Sequence, residues 1–199
     1  MSATNRGAKR LTNNAFNTPP YAIEGFLEKV QLPWLTTFLE PCRGKGHIYD
    51  RISCHRRLHC EIEEGNDYLT WQPPCHVDAI VTNPPFPLAL EFLQKSLHEA
   101  KFVAYLLPFG FFASQGRKEF WLANKPTHSV VLSKRPCFAW YCKGKGREKS
   151  CGFSCHPEEF TECPDCGGRV GPGTDSVDYN WVVWDRLGYM KIAPGMDWI

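Results

Sequence analysis

Short β-rich apolar runs alternate with amphipathic helical segments, and glycine or proline turns stand where the runs end. Together these features predict an α/β fold, a three-layer domain built around a mostly parallel sheet. The last two strand-like runs have no helix between them, so an antiparallel hairpin is expected at one edge. At 199 residues the chain suits one domain with a small appendage rather than two full domains. A hydrophobic fraction of 43% supports a packed core and excludes an intrinsically disordered chain. The net charge of +2 excludes a polycation, so contact with nucleic acid must come from local basic patches.

Residues 1–13 carry Arg6, Lys9 and Arg10 without an apolar run behind them, and read as a flexible basic tail rather than a secretory signal. The domain follows over 14–199. Residues 19–30 read as a helix opened by prolines, with Ile23, Phe26, Leu27 and Val30 at helical spacing. Residues 36–40 form a first strand, and 47–53 begin the next helix. A second strand over 58–62 ends in acidic residues. Residues 77–82 are a buried-type strand that stops at a double proline. A helix over 88–100 has Leu90, Leu93, Leu97 and Ala100 as its apolar stripe. Strands over 101–107, 128–133 and 177–185 and a helix over 115–123 complete the pattern. Residues 141–174 are rich in Gly, Lys, Cys and Pro and lack periodicity, which marks an insertion. No apolar run reaches the length of a membrane helix.

Three strand ends carry chemistry. After the first strand comes Glu40-Pro41-Cys42-Arg43-Gly44-Lys45-Gly46, where glycines let the backbone bend and approach a ligand. At and just after the end of the second stand Glu61, Glu63 and Asp67, where an acid can accept both ribose hydroxyls of an adenosine and Asp67 can accept from the adenine amino group. The third carries Asn83-Pro84-Pro85-Phe86. Prolines have fixed φ and no N–H, so this turn holds its carbonyls in a rigid set. The Asn83 side-chain carbonyl and the Pro84 carbonyl are two acceptors for one amino group. Accepting both N–H bonds favours a pyramidal nitrogen, whose lone pair can then point at an electrophilic methyl. An amide is no useful general base, so orientation and electrostatics would carry the catalysis. Phe86 can stack on a base.

With these motifs in view, the chain resembles the adenine-N6 DNA methyltransferases with a Rossmann-like sheet, particularly the small phage- and prophage-type enzymes. Residues 14–22, with Thr18, Pro19, Pro20 and Tyr21, resemble the family's N-terminal cofactor motif. Glu40, Pro41, Gly44 and Gly46 resemble its cofactor loop, Glu61 its ribose-binding acid, and Asp67 the residue facing the cofactor adenine. Asn83, Pro84, Pro85 and Phe86 match the catalytic tetrapeptide, with Asn83 also beside the cofactor. Phe138, in Arg135-Pro136-Cys137-Phe138, matches the aromatic set against the flipped base. The resemblance covers nearly all of 14–140 and 175–186. It implies S-adenosylmethionine as cofactor, DNA as partner without an obligate protein partner, and a cytoplasmic setting in a bacterial or phage-infected cell. Asn-Pro-Pro-Phe is also shared with RNA base methyltransferases, so an RNA base (adenine N6 or guanine N2) is the alternative substrate.

The family's usual large target-recognition domain has no counterpart in these 199 residues. The insertion offers a substitute. Five of the ten cysteines, Cys142, Cys151, Cys155, Cys163 and Cys166, crowd into it. Cys163-Pro-Asp-Cys166-Gly-Gly is a tight turn able to close two thiolates on one ion. With Cys151 and Cys155 it predicts a small zinc knuckle around one structural Zn²⁺, for which Cys142 and His156 are substitute ligands. Lys143, Lys145 and Arg147 are the expected phosphate contacts.

Overall fold

The computed structural model describes residues 17–34, 36–136, 138, 140–144, 154–155, 161–172 and 177–199. The expected tail at 1–13 lies outside them, as do Asn14 and its neighbours to residue 16. Among the described residues, one sheet has seven strands: β1 (Thr37–Glu40), β2 (Arg56–His59), β3 (Ala79–Thr82), β4 (Phe102–Pro108), β5 (His128–Val131), β9 (Tyr179–Asp185) and β10 (Gly195–Trp198). Their spatial order is β10-β5-β9-β4-β3-β1-β2. β9 runs antiparallel to both β4 and β5, and every other pairing in this sheet is parallel. A second sheet, in the order β7-β6-β8, joins β6 (Trp140–Cys142), β7 (Ser154–Cys155) and β8 (Val170–Pro172).

β4 shows how sequence becomes layering. Phe102 to Leu107 are buried without interruption, because a central strand is covered on both faces. The period of two sends Phe102, Ala104 and Leu106 to one side, where α1 (Pro20–Glu28) presents Ala22, Ile23 and Phe26. Val103, Tyr105 and Leu107 face the other side, against Ala89, Phe92, Leu93 and Leu97 of α2 (Ala89–Glu99). Trp181 of β9 stacks on Phe26 at 4.6 Å and donates its indole N–H to the Ala22 carbonyl at 2.9 Å, which fixes α1 on the sheet. On the opposite face, Trp184 lies parallel to Trp121 of α3 (Lys118–Ala123) at 6.1 Å. No helix among the described residues is long and apolar enough to cross a membrane.

Four expectations shift. The helix over 47–53 is only a turn of 3₁₀ helix, Tyr49–Arg51, since Ile52 is already extended and the chain must reach β2 within a few residues. The second strand is Arg56–His59 rather than 58–62. It is an edge strand with exposed Arg56 and Arg57, so it lacks the apolar signature of a buried one. The antiparallel pair β5–β9 is present, but β10 adds outside β5 and β9 sits between β5 and β4. Gly-Met-Asp-Trp in β10 is only four residues long, leaves Met196 and Trp198 exposed and pairs through its backbone, so burial does not mark it as a strand. The insertion, finally, contains the three strands of the smaller sheet.

Candidate active site

β1 lies beside β3, yet the chain leaves β1 toward β2 and leaves β3 toward β4, on the other side. A reversal of this kind opens a crevice at the carboxyl ends of the two strands. A cleft of about 660 Å³, counting its open mouth, lies there. Thr18, Glu40, Gly44, Glu61, Asn83, Pro84 and Pro85 all line it, so residues spread over 68 positions of sequence converge on one site.

Glu40 ends β1 and is 2% exposed. Its carboxylate accepts the Tyr49 backbone N–H, and its Oε2 has no hydrogen-bond partner among the described residues. Burial pushes this carboxyl well above the ordinary range, against the opposing pull of the Tyr49 N–H and the Arg43 charge. In the following loop Gly44 and Gly46 have φ of 51° and 79°, the left-handed region that favours glycine. A Cβ on Gly46 would also lie 2.8 Å from an Asp50 carboxylate oxygen. Glu61, two residues past β2, reaches across and accepts the Gly44 N–H at 2.6 Å, bracing the loop. From the other wall, the Thr18 carbonyl lies 2.9 Å from Nδ1 of His47.

Cys42, Asn17, His47 and Ile62 also line the cleft, and the motif reading does not single them out. Cys42 Sγ is 2.9 Å from Thr82 Oγ1 and donates to the Asn83 carbonyl at 3.4 Å, tying the glycine loop to the Asn83 turn. Burial pushes its thiol up, so it acts as a neutral hydrogen-bonding group rather than a nucleophile. No sequence signal marks this role, because it depends on β1 and β3 being neighbours.

Other expected residues stand back from the cleft. Pro19 caps α1 and Pro20 opens it, where a missing N–H costs nothing. Pro41 and Gly46 are buried behind the loop. Asp67 starts a turn, its carboxylate accepting the Leu69 N–H at 3.0 Å and its carbonyl accepting the Trp71 N–H at 2.8 Å, and it does not line the cleft.

Phe86 and Phe138 meet through a residue the sequence reading leaves within a strand. Tyr179, at the start of β9, lies 5.8 Å from the Phe86 ring and 5.1 Å from the Phe138 ring, the latter edge-on. Arg135 grips Asp178 with Nε at 2.7 Å and Nη2 at 3.4 Å, holding the segment before Phe138 beside Tyr179. The Arg135 hydrogen bonds hold the Asp178 carboxyl below its usual range.

In the smaller sheet the thiols of Cys142, Cys163 and Cys166 lie within 4.8 Å of one another. Cys142, expected only as a substitute ligand, is thus a member of the group. Cys151 lies outside the described residues, and Cys155 is placed only by its backbone, opposite Trp140 in the β6–β7 ladder. Lys143 is exposed, and its N–H donates to the carbonyl of exposed Arg169 at 2.8 Å. Lys145 and Arg147 lie outside the described residues.

No protein-family model matches the chain, and no curated protein matches it significantly. Solved structures do match in fold. One is the crystal structure of a candidate RNA methyltransferase from Pyrococcus horikoshii, with TM-score 0.54 and 11% identity over 90% of this chain and 92% of that one. A second is the modification subunit of a candidate type I restriction enzyme from Vibrio vulnificus, with TM-score 0.54 and 14% identity. That match covers 96% of this chain and 48% of the subunit. A third is a candidate class I S-adenosylmethionine-dependent methyltransferase from Listeria monocytogenes, with TM-score 0.52, 13% identity, and 94% and 67% of the two chains covered. At these identities the likeness establishes the fold: a Rossmann-like, mostly parallel sheet of the kind found in these three proteins.

Proposed function

We propose that the chain is an S-adenosylmethionine-dependent methyltransferase acting on an exocyclic amino group of a nucleic-acid base. More particularly, its substrate is the N6 amino group of adenine in DNA, presented by flipping the base out of the duplex. One observation carries this reading. The Asn83-Pro84-Pro85 turn opens onto the same cleft as buried Glu40 and the Glu61-braced glycine loop, at the switch point of the sheet.

The residues fit the cofactor. A carboxyl that is 2% exposed, with one oxygen unpartnered among the described residues, suits a cationic group placed beside it. The glycine loop keeps backbone close to a ligand without Cβ obstruction, and Glu61 supplies acceptor oxygens for hydroxyls. When bound, S-adenosylmethionine supplies an electrophilic methyl on sulfonium. The protein's part is to place the nitrogen. The Asn83 side-chain carbonyl and the Pro84 carbonyl accept the two N–H bonds of the target amine and orient its lone pair. Phe86, supported by Tyr179 and Phe138, offers an aromatic surface to the ring. Cys42 steadies the Asn83 carbonyl, and Lys143 and Arg169 put positive charge on an exposed surface, which suits phosphates.

Transfer of a tritiated methyl group to duplex DNA, single strands and structured RNA, followed by nucleoside identification, tests this. N6-methyldeoxyadenosine is the expected product. A methylated ribonucleoside would move the substrate to RNA, the reading that the Pyrococcus horikoshii neighbour favours. No transfer to any nucleic acid would overturn the proposal.

A further inference from the structure

The described part of the smaller sheet gathers its thiols in one place. Among the described residues its buried cluster is Cys142, Cys163 and Val170, with Cys166 packed against them. That cluster is thiol-rich, and thiols gathered at one point can hold a short segment through a shared metal ion.

The geometry points to a zinc–thiolate centre in which Cys142, Cys163 and Cys166 supply three of the four sulfur or nitrogen corners. The three cysteines are not disulfide-bonded. Cys142 and Cys166 have their sulfurs 3.5 Å apart, and all three sulfurs lie within 4.8 Å of one another. A disulfide requires about 2.05 Å. A tetrahedral ion with Zn–S bonds of about 2.3 Å sets its sulfurs about 3.8 Å apart, near the separations here. These edges suit one ion and are too short to enclose a multi-iron cluster.

The backbone is built for the same purpose. Cys142 sits at the end of β6, and the Gly144 N–H donates to its sulfur at 3.3 Å, an interaction that stabilises a thiolate. Cys163 and Cys166 flank a turn closed by Gly167 N–H to the Cys163 carbonyl at 2.8 Å and Cys163 N–H to the Gly168 carbonyl at 2.7 Å. Gly144 and Gly167 take φ of 84° and 66°, which a side chain would strain. At Gly168 the two cysteine turns touch: a Cβ there would lie 2.7 Å from the carbonyl of Gly144 and 3.2 Å from the Cys142 sulfur. Two glycine-backed turns packed face to face, with their thiols converging, form the two halves of a tetrahedral site. Hard cations prefer oxygen ligands, so a set of thiolates selects zinc over magnesium or calcium. The centre lies on the strand that directly follows Phe138. Of the donors in the intervening stretch, Cys151, Cys155 and His156 are the sequence's choices for the fourth corner.

The test uses the full chain purified without added metal. Elemental analysis is expected to find about one zinc per chain. Exposure to a thiol-alkylating reagent with and without a strong zinc chelator, followed by peptide mapping, reads the ligand set with no substitution at all. Cys142, Cys163 and Cys166 should label only when the chelator is present; a fourth protected thiol identifies the last corner as cysteine, and protection of these three alone leaves it to His156. Cys142→Ser should lose most of the zinc, whereas Cys75→Ser should keep it. Zinc near zero even after reconstitution, bound iron instead of zinc, or labelling of these three thiols without chelator would each overturn the assignment. Metal content is read independently of methyl transfer, so failure of one proposal leaves the other standing.

Discussion

The two sheets of this protein solve the same problem with different materials. The larger one buries aliphatic and aromatic side chains on both faces, with Trp181, Phe26, Phe102 and Leu93 fully enclosed. Among the described residues, the smaller one encloses thiols and one valine. Hydrophobic burial is non-directional and scales with area, so it needs length and layers. Thiolate ligation is directional and concentrates its free energy at one point, so a short insertion can use it. A rigid layered platform therefore carries the cleft, and a small appended element can vary beside it without disturbing that platform.

Breaking the larger sheet should have the largest effect. Trp181→Ala removes a fully buried ring and its hydrogen bond to Ala22, and is expected to cost about 3–5 kcal/mol in urea denaturation. Comparable tolerance of that change and of a surface substitution would undo the account of the platform. Within the platform, Asn83→Ala should lower turnover by about 10²- to 10³-fold while leaving cofactor affinity nearly unchanged. A normal rate in that variant would remove the proposed role of the turn.

Metal removal probes the other half of the comparison. Chelation should leave the unfolding free energy of the larger sheet within about 0.5 kcal/mol of its starting value, because the sheets fold on separate cores. DNA affinity should fall as the insertion loosens. A simultaneous collapse of the larger sheet, followed by tryptophan fluorescence, would show that the two are one cooperative unit. Smaller still is the effect of Lys143→Ala, expected to weaken DNA binding evenly across sequences and to reduce the salt slope by about 1. An unchanged slope would take Lys143 out of the phosphate contacts.

The last prediction concerns pH. The Glu40 carboxyl is raised by burial above its ordinary 4.5. A raised folded value contributes stability that is full below the unfolded value and is lost as pH climbs toward the folded one. The ligand-free protein should therefore lose stability relative to Glu40→Gln as pH rises above about 4.5. Saturating cofactor should reduce this difference if a cation sits beside the carboxyl. Parallel stability–pH curves for the two proteins would contradict it.

Much of the platform was legible in the sequence for a physical reason. β3, β4 and α2 carry strong local periodicity because burial on a sheet face or helix stripe imposes it, and the Asn83 turn and glycine loop announce themselves through residues with special backbone freedom. β2 and β10 were poorly marked, since edge strands are held by backbone hydrogen bonds that constrain side chains little. The Asp67 carboxylate accepts the Leu69 N–H, and this residue does not line the cleft.

The sequence by itself determined the alternation of elements, the three strand ends that carry chemistry, and a thiol-rich insertion. Tertiary structure alone decided who meets whom. Tyr179 stands between Phe86 and Phe138, Cys42 reaches Thr82 and Asn83, and Cys142 joins Cys163 and Cys166. Each of these joins residues that are 20 or more positions apart, on neighbouring strands or turns. Local propensity carries no record of such neighbours. Strand order and register create them, and those are fixed only when the whole core packs.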